Sequence, residues 1–174
     1  YNSGLKNNLQ ELRISGGEPS RSPDFWKLVE SFDHENFAFA VNSNLMMEED
    51  RLQKLIDIKQ HFKKYDVYTS CESYGKHAEF VRSGLIYDQW KKNLFKLQTS
   101  TPEINTHIML TVSAVSVWTL DLFLTDIVEL RKATQVIIGN NKIPYFMSVN
   151  ILRFPSFQSV NVIPKRFKEN LAIK

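Results

Sequence analysis

The stretch Leu12 to Arg21, LRISGGEPSR, joins three residue types that together suit the capture of a small cation. Gly16 and Gly17 let the backbone turn and leave its carbonyls bare, because glycine tolerates positive φ. Glu18 adds an acceptor-only carboxylate. Pro19 stops the preceding strand from continuing. A carboxylate fixed beside bare backbone is built to hold such a cation. Other chemistry-bearing residues are sparse: Asn42 and Ser43, then Ser70 and Glu72, with Arg82 ten residues beyond the glutamate. Cys71 reads as a small buried hydrophobe rather than a nucleophile. Of the four histidines, His34 and His61 sit at helix ends and read as exposed. His107 reads as packed within a strand, and His77 stands in a loop beside the polar groups.

These residues fall at the ends of apolar runs. Residues 9–14, 36–44, 65–72, 104–115 and 143–152 read as strands, rich in β-branched and aromatic side chains. Residues 22–32, 47–62, 87–98 and 119–133 read as helices, with Ser22-Pro23 as an N-terminal signal. A further helix follows Pro164, and 73–84 reads as a long loop. Strict alternation argues a parallel α/β sheet with right-handed crossovers. Two architectures satisfy it: an open doubly wound sheet, or an arc of a TIM-like barrel. Both place SGGEP, NSN, SCES, TVS and SVN on one rim, at the carboxyl ends of the strands.

Composition limits the partners. The chain has 174 residues, 43% of them hydrophobic, and a formal net charge of +3. Its basic residues are interleaved with acids, which argues against a nucleic-acid partner. No apolar run reaches the roughly 20 residues of a membrane-spanning helix. One cysteine excludes an intrachain disulfide framework and any multi-cysteine metal site within these residues, and it suggests a reducing, cytoplasmic compartment. The start at Tyr1, close to the first strand, reads as a segment with upstream residues missing.

Taken in order, the rim sequences resemble a radical S-adenosylmethionine (radical SAM) enzyme. SGGEPSRSPDFWKLVE resembles the family's GGEP motif and the helix after it. VNSNL resembles the third-strand end, VYTSCESYGKHAEFVRSG the fourth strand and its loop, and NILRFPSFQSVNVIP the exit from the sixth strand in twitch-type members. The resemblance covers about residues 9–165. It departs from the family at Cys71 and Ser116, and it lacks the Cys-x3-Cys-x2-Cys run after the first strand.

The resemblance implies a partial (βα)6 barrel with strands two to six present. Residues 1–163 would be the core segment without its first βα unit, and 164–174 the start of a C-terminal extension. It implies S-adenosyl-L-methionine as cofactor. Gly16, Gly17, Glu18 and Pro19 would take the ammonium, Ser70 and Arg82 the carboxylate, and Ser70 and Glu72 the ribose. Val112 and Leu152 would flank adenine, with Asn42 and Ser43 at the adjoining strand end. It further implies a 4Fe–4S cluster whose ligands lie outside these residues, and an external electron donor. Cleavage of the cofactor would give a 5′-deoxyadenosyl radical for hydrogen abstraction from a peptide, nucleotide or small molecule. On that reading this segment alone is inactive as an oxidoreductase, and no residue in it is catalytic or metal-binding. Two other readings stand beside it: a non-catalytic βα module binding a nucleotide or peptide, and a βα-barrel enzyme for a phosphorylated metabolite. The second lacks a glycine-rich phosphate loop, since IGNNK is too short.

Overall fold

The computed structural model describes residues 8–33 and 35–172; His34 lies outside them. Five strands form one sheet, all parallel and in sequence order: β1 (Glu11–Ile14), β2 (Glu35–Asn42), β3 (Phe62–Ser70), β4 (Asn105–Val112) and β5 (Tyr145–Ile151). A doubly wound sheet reverses its order at a switch point. Here the order never reverses, so the sheet is an arc of a TIM-like barrel. The connecting helices are α1 (Pro23–Glu30), α2 (Glu49–Asp57), α3 (Gly75–Val81), α4 (Tyr87–Ser100) and α5 (Leu120–Ile138), with α6 (Lys165–Ala172) after β5.

Alternation along each strand divides the sheet into two faces. Phe39 and Val41, Tyr65 and Val67, and Ile108 and Leu110 point to the helices and join Phe25, Leu52, Leu55, Trp90, Leu94 and Phe123 in one core. Phe39 stacks on Phe62 at 4.5 Å, and Trp90 donates its indole N–H to Thr69 Oγ1 at 2.9 Å. The opposite, helix-free face carries Ala38 and Ala40, Asp66, Tyr68 and Ser70, Asn105, His107, Met109 and Thr111, and Phe146, Ser148 and Asn150.

The structure differs from the sequence reading at four points. The helix expected over 47–62 ends at Asp57, continues as a 3-10 turn over Ile58–His61, and gives way to β3 at Phe62. Phe62 is already paired opposite Glu35, so the chain must be extended there. Residues 75–81 form a helix where a loop was expected. Its opening Gly75 is a poor helix former and only Ala78 is buried, so no apolar stripe announces it. Ser22 holds the N-cap position of α1 with extended backbone, and its hydroxyl makes no capping bond. His61 is half-buried rather than exposed.

The helix-free face is crossed by one row of stacked groups. His107 lies between Tyr68 at 4.3 Å and Phe146 at 5.1 Å, each pair nearly parallel. Arg13 on β1 reaches over Ala40 to cover the other face of Tyr68 at 4.3 Å, and donates to its hydroxyl at 2.9 Å. The small Ala40 side chain on the intervening strand leaves room for that reach. Beneath the row, buried Asp66 accepts from Asn105 Nδ2 at 2.8 Å, lies 3.3 Å from His107 Nε2, and pairs with Lys64 at 3.2 Å.

Burial pushes the Asp66 carboxyl up, but the bonds from His107, Asn105 and Lys64 outweigh it and hold the group below its ordinary value. A depressed folded value contributes stability above the unfolded pKa of about 4 and loses it as pH falls through the folded value. Asp66→Asn should therefore flatten the fall of Tm between about pH 5 and pH 2. Thermal melts of the two proteins should converge at the acid end, and parallel curves would contradict the assignment.

Candidate functional site at the carboxyl rim

The site is built where β1 and β2 end. After Ile14 the chain turns through Gly16 (φ 100°) and Gly17 (φ 57°), both left-handed and both exposed. A Cβ at either would meet no atom within 4 Å, so backbone conformation and not crowding demands glycine. The turn leads into a 3-10 turn over Pro19–Arg21.

Glu18 ties this loop to the end of β2. Its Oε1 accepts from Ser20 N–H at 3.3 Å, Ser20 Oγ at 2.8 Å and Ser43 Oγ at 3.0 Å; its Oε2 accepts from Asn44 N–H at 2.6 Å. The sequence assigned this carboxylate to an ammonium ligand. The structure uses most of it as a brace, and the remaining acceptor capacity is on Oε2. Ser43 is part of the same brace: its N–H donates to Tyr68 C=O at 2.8 Å and its hydroxyl accepts from Leu45 N–H at 3.1 Å.

Beyond it stands Leu45, at φ 54° and fully buried, an uncommon conformation for a branched side chain. Asn93 of α4 holds that turn by donating to the carbonyls of both Leu45 and Met47 at 2.8 Å. The sequence reading missed Asn93. Its signal was present, since it is one of two amides, with Gln98, among the buried Trp90, Leu94 and Leu97 of α4.

Asn42, the last residue of β2, is the unsatisfied group of this corner. Its Oδ1 is buried without a hydrogen-bond partner. A buried acceptor left unpaired costs about 1–3 kcal/mol, so such a group asks for a donor.

At the end of β3, Arg82 forks onto Glu72, with Nε 3.1 Å from Oε2 and a second bond from Nη2 to Oε1. Glu72 is buried while Arg82 is half-buried. The sequence paired Arg82 with Ser70; the structure pairs it with Glu72, leaving guanidinium N–H groups to spare. The Ser70 hydroxyl makes no hydrogen bond among the described residues. His77, on α3, has its Nδ1 3.0 Å from Thr119 Oγ1. Cys71 is fully buried and its thiol is pushed up to about 12, chiefly by burial, so it is no nucleophile.

On the far side of the rim Val112 packs against the core, and its carbonyl accepts from Leu152 N–H at 2.9 Å. Leu152 is half-buried beside it. The Ser113 and Ser116 hydroxyls satisfy one another at 3.1 Å and close the TVS corner. Among the described residues no group of three or more His, Cys, Asp or Glu side chains could hold a metal ion.

No family model matches the sequence, and no curated protein matches it. The solved structures that match the fold include two of SuiB from Streptococcus suis, one of them bound to S-adenosylmethionine. Each has a TM-score of 0.55 at 13% identity and covers 91% of this chain. The match spans 44% and 43% of the SuiB chains, so this chain corresponds to less than half of theirs. The likeness is one of fold: a parallel βα arc shared with a protein that has been seen with S-adenosylmethionine.

Proposed function

We propose that the carboxyl rim is an S-adenosylmethionine site, and that the chain is the cofactor-holding part of a radical SAM enzyme. The observation that carries the proposal is the corner made by Gly16, Gly17 and Asn42. It combines exposed left-handed glycines with a buried acceptor that lacks a donor. An ammonium with three donors suits that corner, through the Gly16 and Gly17 carbonyls and the spare capacity of Glu18 Oε2, with Asn42 Oδ1 joining once its side chain turns out of its buried position. Arg82, oriented by Glu72, serves the ligand's carboxylate, and the Ser70 hydroxyl serves the ribose. Leu152 offers apolar surface for adenine. Val112 adds only backbone there, because its side chain faces the core.

When bound, the cofactor supplies the radical chemistry, and this chain's residues bind and orient it. Substrate, electron donor and a cytoplasmic location belong to the same proposal. Among the described residues no helix is long and apolar enough to cross a membrane.

Isothermal titration of S-adenosylmethionine into the chain and its Asn42→Ala variant tests the corner. Losing one ammonium acceptor should weaken binding roughly tenfold. Equal affinity, with circular dichroism unchanged, would remove Asn42 from the site.

A further inference from the structure

Among the described residues β1 and β5 are the outer strands of the sheet. β1 has four residues, and its Glu11 and Arg13 side chains pair at 3.2 Å. Short strands and charged side chains are how proteins keep an edge from recruiting another strand. β5 has neither protection. It is seven residues long, YFMSVNI, with no charge and no proline. It is the last strand of the sheet, and among the described residues no loop hydrogen bond reaches its main chain. Val149 and Ile151 are 59% and 63% exposed on one face, and Phe146 is exposed on the other.

The chain leaving this edge adds charge. Phe154 and Phe157 follow it at 83% and 71% exposure. Residues 153–172 carry Arg153, Lys165, Arg166 and Lys168 against the single acid Glu169. That excess equals the formal +3 of the whole chain. Arg153 has no acidic partner among the described residues.

We propose that β5 is a docking edge for an extended acidic polypeptide segment, which adds to the sheet as a further strand. The partner's main chain would pair with the open N–H and C=O groups of β5. Its apolar side chains would cover Val149 and Ile151, and its carboxylates would meet Arg153, which is exposed two residues beyond the strand. A second copy of this chain fits less well, because it would bring the same excess positive charge to the interface. A single-stranded RNA would match the charge and the phenylalanines but leave the strand's main-chain groups unpaired. This inference does not depend on the cofactor assigned to the rim.

The test uses a fluorescent peptide of alternating glutamate and valine, added to the whole chain. Saturable binding is expected, with slowed hydrogen exchange at the Phe146–Ile151 amides. Val149→Lys and Arg153→Glu, both at exposed positions, should each weaken binding roughly tenfold while circular dichroism stays unchanged. The proposal is overturned by equal binding of the lysine–valine counterpart, or by absence of binding. It is also overturned if oligouridylate displaces the peptide, which would favour RNA. Protection of β5 that rises with protein concentration in the absence of peptide would overturn it in favour of self-association.

Discussion

Asn93→Ala should lower stability by about 3 kcal/mol, the largest effect expected of any polar substitution in the domain. The amide gives its two N–H groups to the carbonyls of Leu45 and Met47, and it is buried. Alanine leaves the Leu45 carbonyl without its donor and the Met47 carbonyl with only Gln89 Nε2 at 3.2 Å. The loss falls on a segment already under strain, because a left-handed conformation costs a residue such as Leu45 about 1–2 kcal/mol. Thermal melts should show Tm lower by roughly 6–12 °C for a domain of this size. Lys92→Ala, at the exposed position next door, should leave Tm nearly unchanged. If Asn93→Ala melted like the parent, the rim turn would be held by something other than this amide.

Glu18→Ala should act on stability and on ligand binding together. Four donors converge on the carboxylate: the Ser20 N–H and hydroxyl, the Ser43 hydroxyl and the Asn44 N–H. Charge-assisted bonds are individually worth about 1.5–3 kcal/mol, but the group is half-buried and water can replace part of them. The expected loss is about 2 kcal/mol. Because the brace also sets the Gly16-Gly17 turn against Asn42, affinity for S-adenosylmethionine should fall by more than about tenfold.

Glu18→Gln separates the two roles. Its amide can turn its oxygen to Asn44 N–H and its nitrogen to the serine hydroxyls, which can rotate to accept, with the loss of the 3.3 Å bond from Ser20 N–H. Stability should then fall by about 1 kcal/mol or less. Affinity should still drop several-fold, because the negative charge near the ammonium is gone. A glutamine variant that binds as tightly as the parent would restrict Glu18 to bracing the loop.

The helices and strands that the sequence announced are those with long, strongly patterned runs. β2, β4 and α4 follow from apolar runs and helical spacing, because burial imposes a period that survives in the residues themselves. α3 did not, since a seven-residue helix with one buried side chain needs no stripe. The glycine turn was legible at Gly16-Gly17 because few residues but glycine tolerate such φ values. The division of labour around it was not. Glu18 reads as a ligand carboxylate in isolation. Only the register of β1 against β2 brings Ser43 and Asn44 to it and turns it into a brace. The row Arg13–Tyr68–His107–Phe146 was equally hidden, because its members come from four strands and meet through pairing alone. Phe146 read as core and stands half-open at the sheet's edge, a position set by strand order rather than by its own sequence.

On the proposed function, the carboxyl rim and no other part of the chain receives S-adenosylmethionine. Amide chemical-shift mapping during titration with S-adenosylmethionine tests it most directly. The predicted result is saturable shifts clustered at Gly16, Gly17, Asn42, Ser70 and Arg82, with β5 and the opposite end of the sheet unmoved. Shifts confined to the hollow at that opposite end, beside Lys59, Lys63 and Glu103, or no shifts at all, would contradict it.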